Sequence, residues 1–220
     1  MSALLQLRSQ LEARFDVPFG FPKSSENNQI ATGIRDLDAI TEGGIPRGTL
    51  TELAGPESSG RTALLIALLS QATRRGECCA WIDTDGMFDP ASAAEAQADL
   101  DRLLWVNCGG NAEHALKATD LLIQAGGFGL VVLDLASTPE KTARRIPLAS
   151  WFRLRHAAER SEAALVAAGL RINARSCSSL QIELQPARPV WHGKLLRGLQ
   201  ANAQSTVRFA QRSAAFTAVK

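Results

Sequence analysis

The stretch that decides the fold of this 220-residue chain is Gly55-Pro56-Glu57-Ser58-Ser59-Gly60-Arg61-Thr62. It follows an apolar segment, Leu50 to Ala54, and precedes an apolar run with helical spacing over residues 62–74. The stretch matches the phosphate-loop pattern G-x-x-x-x-G-K-[ST] except at Arg61, where the pattern has lysine. We therefore expect a strand, a phosphate loop and a helix in this order.

All eight residues of the loop are candidate nucleotide contacts. The glycines let backbone N–H groups surround a phosphate, and the start of the following helix adds partial positive charge. The hydroxyl of Thr62 can coordinate Mg²⁺. Arg61 leaves two alternatives open, because a guanidinium is longer and flatter than an ammonium. It either binds phosphate in place of the lysine or turns away and pairs with a carboxylate.

Strand and helix patterns alternate along the chain. Runs that are apolar on both faces are typical of a parallel sheet covered by helices, and four follow the loop, at residues 78–83, 103–106, 130–133 and 163–168. Shorter strands are predicted at 180–184, 189–191 and 206–210, closing the sheet in antiparallel fashion. The prediction is an α/β domain with a mainly parallel central sheet over residues 30–211, an N-terminal helix and linker over 1–29, and a flexible tail over 212–220.

A second candidate site residue is Asp134, which follows the apolar run 130–133. A carboxylate at the end of a strand near the phosphate loop is where Mg²⁺ is held in phosphate-loop proteins. Thr62 and Asp134 are therefore the candidate metal ligands. The four cysteines lack the spacing of a zinc or disulfide framework, and we expect them to be packing residues.

Charge is distributed unevenly along the chain. Residues 1–140 hold 10 Lys/Arg against 19 Asp/Glu, whereas residues 141–220 hold 14 against 3. The basic second half predicts an anionic partner such as nucleic acid, although the two halves could equally compensate each other within one fold. The chain has no run of eighteen apolar residues and no signal-peptide pattern, so a soluble cytoplasmic protein is expected, without membrane contact.

Several motifs together resemble the ATPase core of the RecA recombinases over residues 30–136. They are Thr32-Gly33, Leu37-Asp38, Gly43-Gly44-x-Pro46-x-Gly48, the phosphate loop, Ile82-Asp83 and Asp89-Pro90. The resemblance implies ATP and Mg²⁺ as ligands. It also implies that Asp85 stands where these enzymes carry the glutamate that activates the attacking water.

Asp85 is one methylene shorter than that glutamate. Retracting a catalytic base by about an ångström can cost on the order of a hundredfold in rate. Together with Arg61, Asp85 indicates an ATPase with weak or no hydrolysis. The alternative is that Asp85 only caps the following turn.

Beyond residue 168 the chain departs from the recombinases. Residues 169–179 contain no Asn-Gln pair and leave little room for a long DNA-binding loop. With the altered lysine position, these departures make the chain similar to the ImuA family of RecA-like proteins. That resemblance implies an accessory role in SOS mutagenesis and DNA-damage-induced translesion synthesis, in the cytoplasm at the nucleoid.

The same resemblance implies three partners: an ImuB-like relative of the Y-family polymerases, an error-prone C-family DNA polymerase and RecA itself. Single-stranded DNA is a further candidate partner because the second half of the chain is basic. The alternative function is an active DNA-dependent ATPase of the recombination and repair class. A binding module that has lost nucleotide and regulates RecA is a third alternative.

The candidate DNA-contacting residues are basic side chains in two segments that the resemblance aligns with DNA loops: Lys141, Arg144 and Arg145 in one, and Arg171 and Arg175 in the other. Trp151 and Phe152 lie nearby at helical spacing and are expected in the core, so base stacking is not predicted. The alternatives for the basic residues are a solvated face or a docking surface for an acidic partner helix.

Overall fold

The computed structural model describes residues 3–19, 28–207 and 210–219. The helices are α1 (Ala3–Phe15), α2 (Arg35–Ile40), α3 (Arg61–Arg74), α4 (Pro90–Glu95), α5 (Ala112–Ala125), α6 (Glu140–Ala143) and α7 (Leu148–Ser161). The strands are β1 (Gln29–Ile30), β2 (Ile45–Pro46), β3 (Thr49–Ala54), β4 (Cys78–Asp83), β5 (Leu103–Asn107), β6 (Phe128–Asp134), β7 (Ala164–Gly169), β8 (Leu180–Leu184), β9 (Arg188–His192), β10 (Leu195–Val207) and β11 (Ala210–Val219).

The central sheet has the order β11-β10-β8-β3-β7-β6-β4-β5, with β9 paired to β10, which makes nine strands among the described residues. The strands from β8 to β5 are parallel to one another, whereas β10 is antiparallel to β8, β9 and β11. This confirms the predicted α/β class with a mainly parallel sheet and antiparallel strands at the C-terminal end.

Both faces of the parallel strands are buried, because successive side chains point to opposite faces. In β6, Leu130 and Val132 pack in one cluster with α2 and α3, while Val131 and Leu133 pack in the other with α5 and α7. Two helical layers therefore cover the sheet. The carboxyl ends of β3, β6 and β4 meet at one edge, which positions the site described below.

Helix α1 lies on the α5 side of the sheet, where Leu4, Leu7 and Leu11 belong to the second cluster. Its end is held by ring contacts, with Phe15 stacked on Phe19 and both rings edge-on to Phe128. The predicted N-terminal helix is confirmed, and it packs on the same chain. Residues 20–27 of the predicted linker lie outside the described residues.

The C-terminal segment differs from its prediction. The short strand predicted at 206–210 has the wrong bounds, since residues 195–207 and 210–219 form two long paired strands, β10 and β11. Residues 212–219, predicted as a flexible tail, pair with β10. Alanines at alternate positions made the strand period hard to see: Ala201 and Ala203 are buried and lie opposite Phe216 and Ala214.

No described helix is long and apolar enough to cross a membrane. Cys78 and Cys79 are buried in β4, Cys177 is buried as well, and Cys108 is half-buried. None of the four cysteines forms a disulfide, and in the described part of the chain no group of histidine, cysteine or acidic side chains could hold a metal ion by itself. These positions fit the packing role predicted for the cysteines.

Candidate phosphate-binding site and adjoining cleft

The loop predicted to bind phosphate connects β3 to α3. Its backbone is left-handed at two positions, Ser58 (φ 57°) and Gly60 (φ 92°), and α3 begins at Arg61. The carbonyl of Ser58 accepts a hydrogen bond from the N–H of Ala187, and no described oxygen accepts from the N–H groups of residues 57–60. Such N–H groups at the start of a helix form an anion site.

Arg61 is buried, with 9% of its surface exposed. Its Nη1 atom has no hydrogen-bond partner in the described part of the chain, and no described carboxylate lies within the 4.0 Å of an ion pair. Burial lowers the pKa of Arg61, while the charges of Asp134 and Glu57 oppose that change. Among the described residues, Arg61 therefore forms no close pair with a carboxylate, which was one of its two alternatives.

Close packing around the loop explains why a glycine is needed at position 55. A Cβ on Gly55 would lie 2.6 Å from Oγ of Ser59 and 3.0 Å from Leu184. The Oγ atom of Ser59 is itself buried without a partner among the described residues. Buried polar atoms without partners are costly, and an anionic ligand would satisfy both Ser59 and Arg61. These residues therefore fit a phosphate group.

Thr62 and Asp134, the predicted metal ligands, lie on different elements. Thr62 is exposed in the first turn of α3. Asp134 ends β6, where its Oδ1 accepts from the N–H of Ala136 at 2.9 Å. Burial raises the pKa of Asp134, and the charge of Asp83 adds to that rise. A cation beside this carboxyl would favour its charged form.

The carboxylate-rich turn after β4 is organised by Asp83, a role that the sequence reasoning missed. Its Oδ1 accepts from the N–H of Gly86 (2.9 Å), and its Oδ2 accepts from the N–H of Phe88 (2.8 Å) and Nε1 of Trp105 (3.2 Å). A buried aspartate at a strand end, followed three residues later by glycine, is a turn pattern that could have indicated this.

Asp85 is exposed in that turn, and in the described residues no group donates a hydrogen bond to its side chain. Helix α4 is capped by Asp89, which accepts from the N–H groups of Ala91 and Ser92. Partial burial raises the pKa of Asp85, as does the nearby charge of Asp83. The interpretation of Asp85 as a cap therefore has no hydrogen bond to support it.

A cleft of about 1080 Å³ adjoins the phosphate loop. Three of the five predicted DNA-contacting residues, Arg144, Arg171 and Arg175, line it together with Gly55 and Pro56. The other two, Lys141 and Arg145, are exposed outside the lining. Oε1 of Glu140 forms ion pairs with Nη2 of Arg144 at 2.5 Å and with Nε of Arg171 at 2.9 Å.

The loop that carries Arg171 and Arg175 is anchored by Glu52, a second residue that the sequence reasoning missed. Glu52 lies in β3, is 3% exposed, and accepts from the N–H groups of Asn173 (2.6 Å) and Ala174 (2.7 Å). Burial raises the pKa of Glu52, and these hydrogen bonds oppose the rise. A glutamate inside an otherwise apolar strand is the sequence feature that could have indicated this anchoring role.

The strand, glycine loop and helix, with an acidic strand end beside them, define a phosphate-loop protein of the α/β class. The chain belongs to the family described as the RecA N-terminal domain, whose model matches residues 3–143. It is 35% identical over 134 residues to Protein RecA of Ectopseudomonas oleovorans, covering 60% of this chain and 38% of that protein. It is 38% identical over 131 residues to Protein RecA of Deinococcus radiodurans, covering 57% of this chain and 36% of that protein.

A third relative, Protein RecA of Haemophilus ducreyi, is 34% identical over 142 residues, which cover 63% of this chain and 38% of that protein. The chain thus spans less than two fifths of the length of these relatives. The predicted RecA-like core is confirmed.

Proposed function

We propose that this protein is a RecA-like accessory protein of DNA-damage-induced translesion synthesis. In this proposal it binds Mg-ATP mainly as a conformational ligand, hydrolyses it slowly, and acts through contacts with other proteins. Its proposed partners are an ImuB-like relative of the Y-family polymerases and an error-prone C-family polymerase, with RecA itself and single-stranded DNA as further contacts.

The proposal that the protein binds ATP rests on the buried guanidinium of Arg61, whose Nη1 lacks a hydrogen-bond partner among the described residues. A buried cation without a close counter-charge is unfavourable, and a phosphate is the ligand that would relieve it. Thr62 and Asp134 would hold Mg²⁺, which would supply charge neutralisation for the phosphates. ATP and Mg²⁺ are therefore the proposed ligands.

Slow hydrolysis is supported by the two changed residues around the same site. A guanidinium cannot take the compact position of an ammonium between phosphates, and the carboxylate of Asp85 reaches less far than a glutamate. The accessory role is supported by the absence of an Asn-Gln pair after β7 and by the short segment 170–179, which Glu52 anchors to β3.

The test is a titration of the full chain with Mg-ATP, followed by hydrolysis assays with and without single-stranded DNA. We expect saturable binding, turnover far below that of a recombinase, and no extended filaments on single-stranded DNA. Rapid turnover stimulated by single-stranded DNA would contradict the proposal. Co-purification with an ImuB-like protein tests the partner assignment.

A second candidate function is an active DNA-dependent ATPase. The observation that favours it is the convergence of Arg144, Arg171 and Arg175 on the cleft that Gly55 and Pro56 also line. Cations beside a phosphate loop could couple a bound strand to the nucleotide. The same hydrolysis assay separates the two functions, since only this candidate requires turnover that rises with DNA.

A further inference from the structure

The cleft beside the phosphate loop has a lining of mixed charge. Three arginines, Arg144, Arg171 and Arg175, and two glutamates, Glu140 and Glu183, line it. The guanidinium groups of Arg144 and Arg171 both contact Glu140, yet these two side chains remain 63% and 66% exposed. Their outer N–H groups can therefore donate hydrogen bonds to a further anionic partner, because each guanidinium carries five donors.

The rest of the lining is largely aliphatic. Ile146, Leu170 and Ile172 are half-buried there, and Leu148 is 44% exposed. Phe152, one turn beyond Leu148 on α7, is 42% exposed, which corrects the prediction that it lies in the core beside the buried Trp151. Apolar side chains that remain at least partly exposed and are bordered by charges are typical of a surface that contacts another molecule.

The composition of this lining favours a protein over a nucleic acid. No aromatic ring is among the described lining residues, so the bases of a single strand would have no stacking partner inside the cleft itself. Aliphatic side chains next to arginines suit a peptide that brings both apolar and carboxylate groups.

We infer that this cleft is a docking groove for an acidic segment of a protein partner that carries aliphatic side chains. Carboxylates of the segment pair with Arg171 and Arg175, and its aliphatic side chains pack on Leu148 and Ile172. The inference rests on the accessory role proposed above, because that role acts through protein contacts. The bound segment lies against Pro56 of the phosphate loop.

The test is a selection of phage-displayed random peptides on the full chain. Enriched peptides are synthesised with a fluorescent label and titrated against wild type, Arg171→Glu and Leu148→Ser. We expect sequences rich in Asp/Glu and Leu/Ile/Val. We also expect Arg171→Glu to weaken binding by about tenfold or more and Leu148→Ser by about threefold. Both positions are exposed enough to leave the fold intact.

Arg160→Glu is the matched control, because this exposed arginine in the last turn of α7 lies outside the lining. It should change the affinity by less than about twofold, as distant surface charges are screened. Enriched peptides that lack acidic residues, or that bind Arg171→Glu and Leu148→Ser like wild type, overturn the inference. So does oligothymidylate binding that is lost in Arg171→Glu but unchanged in Leu148→Ser, which marks a nucleic-acid cleft.

Mg-ATP titrations of the same protein separate the two proposals. If ATP binds with slow turnover but the peptides do not behave as expected, the proposed accessory function is retained and only the assignment of the cleft is rejected. If turnover is fast and rises with single-stranded DNA, the accessory function falls, whatever the peptides do.

Discussion

The backbone N–H of Ala174 donates to Oε1 of Glu52 across 2.7 Å, joining the β7–β8 loop to the strand that ends at the phosphate loop. The N–H of Asn173 donates to the same oxygen, and the hydroxyl of Ser178 donates to Oε2. One buried side chain thus holds a segment that lines the cleft. The basic loop and the phosphate loop are positioned by the same strand.

Substitutions of Glu52 should separate the contribution of its hydrogen-bond acceptor to stability from the contribution of its charge. Glu52→Gln keeps the acceptor for both N–H groups and should change the free energy of unfolding at pH 7 by no more than about 1 kcal/mol. Glu52→Ala leaves those N–H groups without an acceptor and should cost about 3 kcal/mol. Denaturant titration at pH 7 measures both. Equal losses in the two variants would show that the charge, and not the acceptor, stabilises the loop.

The charge of Glu52 should also shape the pH dependence of stability. Burial raises its folded pKa above the ordinary value of 4.5, so the folded state holds the proton more tightly than the unfolded state. The free energy of unfolding should therefore fall as pH rises from 4.5 through the raised pKa. Denaturant titrations of wild type and Glu52→Gln over this range isolate the effect. An unchanged difference between the two proteins across the range would contradict it.

Arg61→Met should stabilise the protein without ligand and abolish its response to ATP. An apolar side chain of similar length removes a buried cation that lacks a close partner, which should raise the free energy of unfolding by about 1 kcal/mol. Thermal unfolding with and without Mg-ATP is the measurement, and Arg75→Met at the exposed end of α3 is the control. A loss of stability in ligand-free Arg61→Met would show that Arg61 already has adequate partners.

The double variant Arg61→Lys with Asp85→Glu should hydrolyse ATP faster than wild type. Lysine supplies a compact charge between phosphates, and glutamate extends the carboxylate by about an ångström, so we expect a gain of about tenfold to a hundredfold. Each single variant should gain less. A double variant no faster than wild type would mean that the two residues are adapted to each other or that the site has another base.

Any binding of single-stranded DNA should weaken steeply with salt. Contacts made by arginines to phosphates release counterions, with a slope of about −0.7 in log affinity against log salt for each contact. Fluorescence anisotropy of a labelled oligothymidylate at several salt concentrations measures it, and Arg171→Gln should flatten the slope. Affinity that is constant between low and moderate salt would argue against phosphate contacts.

The features that could be predicted from the sequence are those that local residue patterns determine. Apolar runs on both faces located β4 and β6, and the glycine loop located the start of α3. The loop residues could be named from the phosphate-loop pattern. Asp134 could be named because the carboxyl ends of parallel strands meet at one edge of the sheet.

The parts that could not be predicted depend on contacts distant in sequence. Glu52 is 122 residues from Ala174, and nothing local shows that its carboxylate receives backbone donors. The pairing of β10 with β11 was hidden because alanine contributes little to a hydrophobic pattern. Phe152 has the same helical spacing whether the surface beside it is covered or open, so its exposure had to come from the structure.

The pairing of β3 shows that a stable folding unit must extend far enough to include β7 and β8. Its two neighbours, β7 and β8, lie beyond residue 143, outside the segment that resembles the family. A fragment cut at that boundary would retain the whole glycine loop but would lose every hydrogen bond between the strand before it and the sheet. Expression of residues 3–143 alone should therefore yield an aggregating polypeptide. The bounds of sequence similarity are here a poor guide to the bounds of a unit that folds by itself.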